Sequence, residues 1–477
     1  MFFPNIPAGE CRVQREADVG IIDGEGIAIM NLTVGLVSLG CAKNLVDSEI
    51  ILGYLQKDGF QIVHEPMEAQ ILIVNTCGFI GPAKEESINS ILEMAQYKKT
   101  GKCQGLIVTG CLSGRYKEEL LDEIPEIDGL LGTEEMDKVP LVIARILGGQ
   151  RVMEFSDSFF AYDDPGVERV ISTGKHSAYL KVAEGCNHTC AFCVIPKIRG
   201  PYRSRQPQAI VQEAKELAAS GVKELIVIAQ DTTKYGQDLV DTSLVTLLDE
   251  LVQVEIPWIR VLYTYPTFFG DELIARIANH DRVVKYVDLP LQHATRSVLQ
   301  RMGRPGNYES QLGLIQRIRQ AVPNVYIRSS FIVGFPDETD EEFAKLLQFL
   351  QEAKLNHCGI FQYSREEDTT AASMPNQVSE EVKMKRYQRA MEVQQEVALG
   401  YQRALIGQEI EVLIEGPSPE SDLVLVGRHR GQAPGVDGVV YIGNQMASPG
   451  DLVRVRIIEA HPYDLVGEIV MGEGMRS

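Results

Sequence analysis

The sequence predicts an α/β protein of three successive modules: an N-terminal doubly wound parallel sheet, a central partial (β/α)6 barrel and a small C-terminal β-barrel. Apolar strand patterns alternate with amphipathic helical patterns over residues 33–149 and again over 178–405. This alternation is typical of parallel sheets covered by helices, and it predicts the first two modules. Short strands with many glycines and no helical period predict a β module over 406–477.

The N-terminal module is predicted to follow a flexible extension at 1–32 and to precede a linker at 150–177. Its strands are predicted near 33–39, 71–75 and 106–109, and its helices near 46–57, 84–97 and 116–123. The central strands are predicted near 178–182, 224–229, 259–263, 286–289, 326–333 and 359–363. Six strand–helix units are too few for a closed eight-unit barrel, so a curved, partial barrel is expected. A helix at 379–405, with Ser379 as its N-cap, leads to the last module.

The composition indicates a globular protein, with 44% hydrophobic and 23% charged residues among 477. The formal net charge of −20 disfavours specific DNA binding and favours a basic partner. No apolar stretch approaches the roughly 18 residues of a membrane span and no signal peptide is visible, so a cytoplasmic location without a membrane partner is expected. Nine cysteines in such a chain favour metal binding or catalysis over disulfides.

Three cysteines lie within eight residues, at Cys186, Cys190 and Cys193. Three thiolates can hold three irons of a four-iron cubane and leave the fourth iron open to a small chelating molecule, such as the methionine moiety of S-adenosylmethionine. The alternative is a zinc site, which takes four nitrogen or sulfur ligands and could include His188. The loop follows the first central strand, at the end where barrels carry out chemistry, and this position favours the iron–sulfur interpretation.

Three further cysteines, Cys41, Cys77 and Cys111, are dispersed, and each follows an apolar strand of the first module. The carboxyl ends of parallel strands meet at one edge of a sheet, where ligands of open α/β sheets bind. We therefore expect these thiolates to converge and to hold a second cluster with one open iron. The alternative is that they are three buried cysteines that serve as small hydrophobic side chains.

Five other residues are candidates for contact with the cofactor: Phe192, Gln230, Gln292, Ile332 and Gly334. Phe192 lies between two cluster cysteines but could equally belong to the core. Gln230 and Gln292 follow strands at the barrel mouth, and Gly334 lets backbone approach a ligand closely. A basic loop after the triplet could hold a carboxylate or the cofactor, or form a solvated face; its charged residues are Lys197, Arg199, Arg203 and Arg205.

Residues 34–475 resemble the methylthiotransferase branch of the radical S-adenosylmethionine superfamily. Four segments carry the resemblance: LGCAKNLVDSE at 39–49, NTCGFI at 75–80, CVIP at 193–196 and FIVGFP at 331–336. The first two are similar to the members that modify ribosomal protein S twelve rather than to the transfer-RNA enzymes. The sequence departs from many radical enzymes at 229–232, where AQDT replaces a Gly-Gly-Glu motif.

The resemblance implies two 4Fe-4S clusters, an auxiliary one on the dispersed cysteines and a radical one on the triplet, in a barrel of radical S-adenosylmethionine type followed by a TRAM-like β-barrel. It implies radical methylthiolation of the β-carbon of an aspartate in ribosomal protein S twelve, with two S-adenosylmethionine molecules and cluster-bound sulfur. A reducing partner such as flavodoxin or ferredoxin is implied, and a monomer is expected. The alternatives are a transfer-RNA methylthiotransferase and a non-catalytic metal-binding factor for RNA or the ribosome.

The charge of the last module independently favours a protein substrate. Residues 405–477 contain eleven Asp and Glu residues against five Arg and no Lys. A transfer-RNA binder would be basic here, whereas an acidic module complements a basic ribosomal protein.

Overall fold

The computed structural model describes residues 32–156, 158–160, 162, 169–174, 176–443 and 447–470. The predicted N-terminal extension therefore lies outside the described residues, except for Leu32. The chain divides into two compact units. The first contains the described residues up to Thr173 together with Gly185–Asn187 and Cys193–Arg205, and the second contains Gly174–Glu184, His188–Phe192 and the residues from Gln206 onward. None of the described helices is both long and apolar enough to cross a membrane.

The first unit is built on six parallel strands: β1 (Thr33–Ser38), β2 (Gln61–Ile62), β3 (Ile71–Thr76), β4 (Gly105–Gly110), β5 (Gly129–Leu131) and β6 (Val152–Glu154). Their spatial order is β2-β1-β3-β4-β5-β6. The helices between them are α1 (Ala42–Lys57), α2 (Gly81–Thr100), α3 (Cys111–Glu123) and α4 (Val139–Leu147). Strands β3 and β4 are buried along their whole length, as expected for a sheet covered on both faces. Because β6 belongs to this sheet, the sheet continues past residue 149 into the segment predicted as a linker.

The helices of this unit begin earlier than the sequence predicts. Helix α1 begins at Ala42 rather than near residue 46. Helix α3 begins at Cys111, but Lys117 has a non-helical backbone and divides it, so the start predicted near residue 116 falls at this break. The first turn of α1 contains the polar residues Lys43 and Asn44, which are buried although they interrupt the apolar period. The apolar pattern that predicts α1 therefore appears only after its first turn. Helix α1 starts directly after Cys41, and α3 starts at Cys111.

After the first sheet the chain continues, in order, as β7 (Ser177–Lys181), β8 (Ala183–Glu184), α5 (Ile195–Arg199), β9 (Arg203–Ser204), α6 (Pro207–Ala219), β10 (Glu224–Ile228), α7 (Leu244–Leu251), β11 (Trp258–Val261), α8 (Asp271–Asn279), β12 (Tyr286–Asp288), α9 (Arg296–Arg301), α10 (Tyr308–Ala321), β13 (Tyr326–Val333), α11 (Asp340–Ala353), β14 (His357–Gln362) and α12 (Glu380–Arg403). Strands β7, β10 and β11 form one parallel sheet, and β12, β13 and β14 form another. A parallel bridge between Ile259 and Val283 links the two sheets. The six strands thus follow one another in chain order, which confirms the predicted partial barrel.

The C-terminal module is a closed barrel of five strands: β15 (Glu409–Ser418), β16 (Ser421–His429), β17 (Val440–Ile442), β18 (Leu452–Ala460) and β19 (Leu465–Ile469). The strands close in the order β15-β16-β17-β19-β18. Eight buried apolar residues fill its interior: Val412, Ile414, Leu425, Val440, Ile442, Val455, Ile457 and Leu465. Helix α12 precedes it, and the Ser379 side chain accepts a hydrogen bond from Val382 N at 3.4 Å, as the sequence predicts for its N-cap.

This small barrel packs against the amino ends of the central strands. Glu224, the first residue of β10, accepts a hydrogen bond from Arg428 Nη2 of β16 at 2.6 Å. Trp258, the first residue of β11, donates from Nε1 to Glu411 Oε2 of β15 at 3.1 Å. Parallel strands have their amino ends on one side and their carboxyl ends on the other. The small barrel therefore lies at the opposite end of the central strands from the loops that follow them.

Candidate metal centre

The three dispersed cysteines lie at the carboxyl ends of neighbouring strands. Cys41 follows β1 as the N-cap of α1, Cys77 follows β3, and Cys111 follows β4 as the first residue of α3. The strand order reverses between β1 and β3, and ligands of open α/β sheets bind at such a switch point. Cys41 is exposed, Cys77 is half-buried and Cys111 is buried, so the group is accessible from the side of Cys41.

Glycines bring the loops that carry these cysteines into direct contact. Gly40 has φ +85°, and a Cβ at this position would lie 2.7 Å from Cys77 Cβ and 3.0 Å from Cys77 Sγ. A Cβ on Gly78 would lie 2.8 Å from the carbonyl oxygen of Cys111. Real Cβ atoms do not approach other atoms so closely, so only glycine fits at these two positions.

Side-chain amides hold the strand ends in register. Asn44 Nδ2 of α1 donates to the carbonyl oxygen of Leu39 at 2.7 Å and to that of Thr76 at 3.2 Å. Asn75 Nδ2 of β3 donates to Ser48 Oγ at 2.8 Å. These side chains are buried, so each hydrogen bond replaces one that water would otherwise make. The polar residues of the motif at 39–49 therefore fix the positions of two of the cysteine loops.

A buried arginine from the predicted basic loop lies beside the cysteines. Arg199 is 2% exposed, and its Nη1 lies 2.6 Å from Asp47 Oδ2. Its Nη2 donates to Asn44 Oδ1 at 3.0 Å and to Cys111 Sγ at 3.4 Å. Arg203 of the same loop is half-buried and pairs with Glu134 at 3.0 Å. Arg199 and Arg203 therefore hold carboxylates of the chain itself rather than forming a solvated face.

The three thiols differ in their electrostatic surroundings. Burial raises the pKa of Cys77 to about 12, and the neighbouring Cys111 adds to the increase. Burial also raises the pKa of Cys111, against the opposing charge of Arg199. Desolvation opposes ionisation of Cys41, yet the charges of Lys43 and Arg199 lower its pKa. Thiolates that repel one another are stabilised together when they bind a positively charged metal group.

The cysteine triplet forms the loop between β8 and α5. Cys186 and Cys193 belong to the first compact unit and Cys190 to the second. Within the first unit, Cys186 N donates to the carbonyl oxygen of Gly200 at 3.1 Å. Within the second unit, Arg304 Nη1 lies 3.9 Å from Cys190 Sγ, so a cation is in contact with this thiol.

His188, in the same loop, is held by an acid and by an aromatic ring. Its Nε2 lies 2.6 Å from Asp231 Oδ2, which follows β10. Its ring stacks on Tyr265 with the centroids 3.9 Å apart and the planes 6° apart. The guanidinium carbon of Arg304 lies 4.0 Å from the centroid of the Tyr265 ring. These contacts orient the loop around Cys190.

The other predicted cofactor residues lie in the second unit at or near the carboxyl ends of its strands. Phe192 and Ile332 pack against one apolar cluster, with the Phe192 ring 6.5 Å from that of Phe335. Gln292 has φ +70°, and its carbonyl oxygen accepts a hydrogen bond from Ile332 N at 2.8 Å. The loop after β12 is thereby joined to β13 beside Ile332.

Gln230 and Gly334 have partners within the protein. Gln230 Nε2 donates to Glu184 Oε1, while Gln230 Oε1 is buried and makes no hydrogen bond to any described residue. Gly334 has φ +73°, and its N–H donates to Glu338 Oε2. A Cβ on Gly334 would overlap the aliphatic chain of Lys383. The space that this glycine leaves is therefore filled by Lys383.

Within the described part of the chain, no three His, Cys, Asp or Glu side chains are arranged to hold a single metal ion. A cubane cluster is wider than one ion, and each of its thiolates binds a different iron. The dispersed cysteines fit such a group, since their loops meet at the sheet edge, Cys41 is exposed on one side and Arg199 places a positive charge at Cys111.

Comparisons with known proteins match all three modules. The model of the Radical SAM superfamily matches residues 180–350, that of Uncharacterized protein family UPF0004 matches 33–132, and that of the TRAM domain matches 406–470. Among solved structures, the radical S-adenosylmethionine methyltransferase TsrM from Kitasatospora setae has a TM-score of 0.53 at 15% identity, over 72% of this chain and 77% of that one. At this identity the likeness shows the fold alone.

The partial barrel, its cysteine triplet and the superfamily match define the class: the chain is a radical S-adenosylmethionine enzyme, with S-adenosylmethionine and 4Fe-4S clusters as cofactors. The ribosomal protein uS12 methylthiotransferase RimO of Symbiobacterium thermophilum is 50% identical over 94% of this chain and 93% of the relative. That of Pelotomaculum thermopropionicum is 47% identical over 93% of this chain and 100% of the relative. The chain belongs to this RimO family of methylthiotransferases.

Several residues of the site were not identified from the sequence. Asn44 and Asp47 contact Arg199, and Arg304 contacts the Cys190 thiol. A usable signal was that Asn44 and Asp47 fall within the motif at 39–49 that carries the resemblance. Arg304 offers no such signal, since it reaches Cys190 from 114 residues further along the chain.

Proposed function

We propose that this protein methylthiolates the β-carbon of an aspartate residue in ribosomal protein uS12. The observation that carries the proposal is that three cysteines gather at the switch point of the first sheet, in addition to the triplet of the central barrel. Two cysteine sets allow two clusters with different tasks, which a radical enzyme that only removes hydrogen does not need. The family membership supports uS12 as the substrate.

Each cysteine set would hold one 4Fe-4S cluster. Cys186, Cys190 and Cys193 would hold the cluster that binds S-adenosylmethionine, and the dispersed set at positions 41, 77 and 111 would hold the auxiliary cluster. When bound, these groups supply reductive cleavage of a carbon–sulfur bond and a sulfur atom for transfer. Hydrogen-atom removal requires no general base, and flavodoxin or ferredoxin would deliver the electrons.

The chain's own residues hold the loop that carries Cys190 in place. Asp231 and Tyr265 hold His188, and so fix the loop between Cys186 and Cys190. Arg304 keeps a positive charge at Cys190. Both contacts favour a negatively charged cluster on this loop. The positive charge of Arg304 is already in position, so the protein needs no rearrangement when an electron reaches the cluster.

The acidic C-terminal barrel supports a basic protein as the substrate rather than transfer RNA. Its eleven acidic residues between 405 and 477 outnumber its five arginines. Surfaces of opposite charge attract at long range and set the orientation of an encounter. The barrel lies at the amino ends of the central strands, so contact with it would engage a part of the substrate remote from the reacting aspartate.

The test compares iron content with product formation. The anaerobically reconstituted protein should contain about eight irons, and the Cys41→Ala/Cys77→Ala/Cys111→Ala and Cys186→Ala/Cys190→Ala/Cys193→Ala variants about four each. With uS12, S-adenosylmethionine and a reductant, only the parent should add a methylthio group, read by peptide mass spectrometry. The Cys103→Ala variant is the matched control, because Cys103 is a buried cysteine of the first unit outside both sets.

Either of two results would overturn the proposal. If the parent protein held only about four irons, the dispersed cysteines would be structural. If transfer RNA acquired the methylthio group while uS12 did not, the substrate assignment would be wrong.

A further inference from the structure

Arg199 connects two parts of the sequence that the proposed mechanism treats separately. It ends helix α5, only six residues after Cys193 of the triplet. Yet its guanidinium is buried beside Cys111 of the dispersed set, 88 residues earlier in the chain. Both residues belong to the first compact unit. The segment that leaves the triplet therefore supplies a side chain to the auxiliary site.

The guanidinium is held in one orientation by two further contacts. Nη1 lies 2.6 Å from Asp47 Oδ2, and Nη2 donates to Asn44 Oδ1 at 3.0 Å as well as to Cys111 Sγ at 3.4 Å. Asp47 and Asn44 lie on α1, which begins directly after Cys41. The planar fork of an arginine makes such contacts simultaneously, and a lysine cannot reproduce them.

We propose that Arg199 is a positioning residue of the auxiliary site, which fixes Cys111 and raises the reduction potential of the cluster held there. The proposal rests on the proposed function, since it requires a cluster on the dispersed cysteines. Reduction adds one negative charge to the cluster and its thiolates. A buried cation and an N–H···S hydrogen bond stabilise that charge, and hydrogen bonds to cluster sulfurs are a known determinant of potential.

Substitutions of Asp47 and of Arg199 should shift the reduction potential of the cluster in opposite directions. Its carboxylate offsets the charge of Arg199, so the Asp47→Asn variant should raise the potential, whereas Arg199→Gln should lower it. A purely structural role would make both changes act in the same direction, because both break the same ion pair. The Arg199→Lys variant keeps the charge but loses the fork, so its potential should fall between those of Arg199→Gln and the parent.

The measurement is an anaerobic redox titration followed by electron paramagnetic resonance. The parent for this experiment is the full chain with Cys186→Ala, Cys190→Ala and Cys193→Ala, so that the signal comes from the auxiliary cluster alone. We expect Arg199→Gln to lower the reduced-to-oxidised ratio at a fixed potential at least tenfold, which is 59 mV for one electron. Arg203→Gln is the matched control, since Arg203 lies in the same loop and pairs with Glu134.

The outcomes separate the two proposals. A parent that binds no iron would refute the proposed function, and this inference would fall with it. Normal iron content, with Arg199→Gln and Arg203→Gln titrating at the same potential as the parent, would refute the inference and leave the proposed function standing. Shifts of the same sign for Arg199→Gln and Asp47→Asn would also refute it, in favour of simple loosening. If Arg199→Gln loses the cluster, a potential above the parent's in Asp47→Asn together with one below it in Arg199→Lys supports the inference, and any other result refutes it.

Discussion

Glu224 ties the C-terminal barrel to the central strands through two arginines from different modules. Its Oε1 lies 2.7 Å from Arg260 Nε of β11, and its Oε2 lies 2.6 Å from Arg428 Nη2 of β16. All three side chains are at most 1% exposed. We expect the Glu224→Gln substitution, which keeps the shape and removes the charge, to destabilise this interface strongly.

The magnitude follows from the loss of charge in two contacts, since the glutamine oxygen can still accept a hydrogen bond but cannot form an ion pair with either arginine. A hydrogen bond to a charged group contributes about 1.5–3 kcal/mol, so two of them amount to roughly 3–6 kcal/mol. Removal of one partner from a buried ion pair typically costs about 3–5 kcal/mol. Arg428 keeps Glu415 at 2.6 Å, whereas Arg260 loses its carboxylate. We therefore expect Glu224→Gln to lower the free energy of unfolding by about 3–5 kcal/mol.

The pH dependence of this effect has a defined sign. Although burial opposes its ionisation, the charges of Arg260 and Arg428 lower the pKa of Glu224. A carboxylate with a depressed pKa stabilises the folded state above its unfolded pKa of about 4.3, and this contribution is lost as the pH falls through the folded value. The difference between the parent and Glu224→Gln should therefore be largest at neutral pH and shrink in acid.

The assay uses the single tryptophan of the chain. Trp258 is fully buried in this interface and donates to Glu411 of the barrel, so its fluorescence in a urea titration reports loss of the barrel contact. Glu409→Gln is the control, because Glu409 forms an exposed pair with Arg456 in the same barrel and should cost less than about 0.5 kcal/mol. If Glu224→Gln and the control unfold at the same urea concentration, the buried network does not hold the barrel in place.

Two further predictions test local geometry and titration. Gly40 and Gly59 have φ +85° and +86°, so alanine strains both backbones equally, but only at Gly40 would the new Cβ lie 2.7 Å from Cys77 Cβ. Gly40→Ala should therefore lose the iron of the auxiliary site in an iron assay and Gly59→Ala should keep it; equal iron in both would contradict this packing. Burial, together with the charges of His357 and Arg260, lowers the pKa of His429 to about 3. Since the unfolded histidine takes up a proton below about pH 6.5, His429 should make stability fall on acidification by up to about 1.4 kcal/mol per pH unit, and His429→Gln should remove this contribution from thermal unfolding measured between pH 7 and 5.5.

Local sequence determined the parts of this protein that depend on neighbours along the chain. The alternation of strand and helix patterns specified both α/β modules, because period and turn chemistry are local properties. The position of Cys41, Cys77 and Cys111 after apolar strands was sufficient to bring them to one edge, since parallel strands end on the same side. The start of α1 at Ala42 was missed because the buried polar residues Lys43 and Asn44 hide the apolar period there. The first turns of α3, between Cys111 and the break at Lys117, were missed as well.

Contacts between distant segments were decided only by the tertiary structure. Arg199 meets Asp47 across 152 residues and Arg428 meets Glu224 across 204, and no periodicity in either segment encodes these pairs. The same holds for β6, which joins the first sheet from a segment of irregular polarity, and for the attachment of the small barrel to the amino ends of the central strands. A pattern of apolar residues predicts that a side chain is buried, but it does not predict the partner of that side chain. The partner depends on which distant segments the fold brings together, and only the tertiary structure shows this.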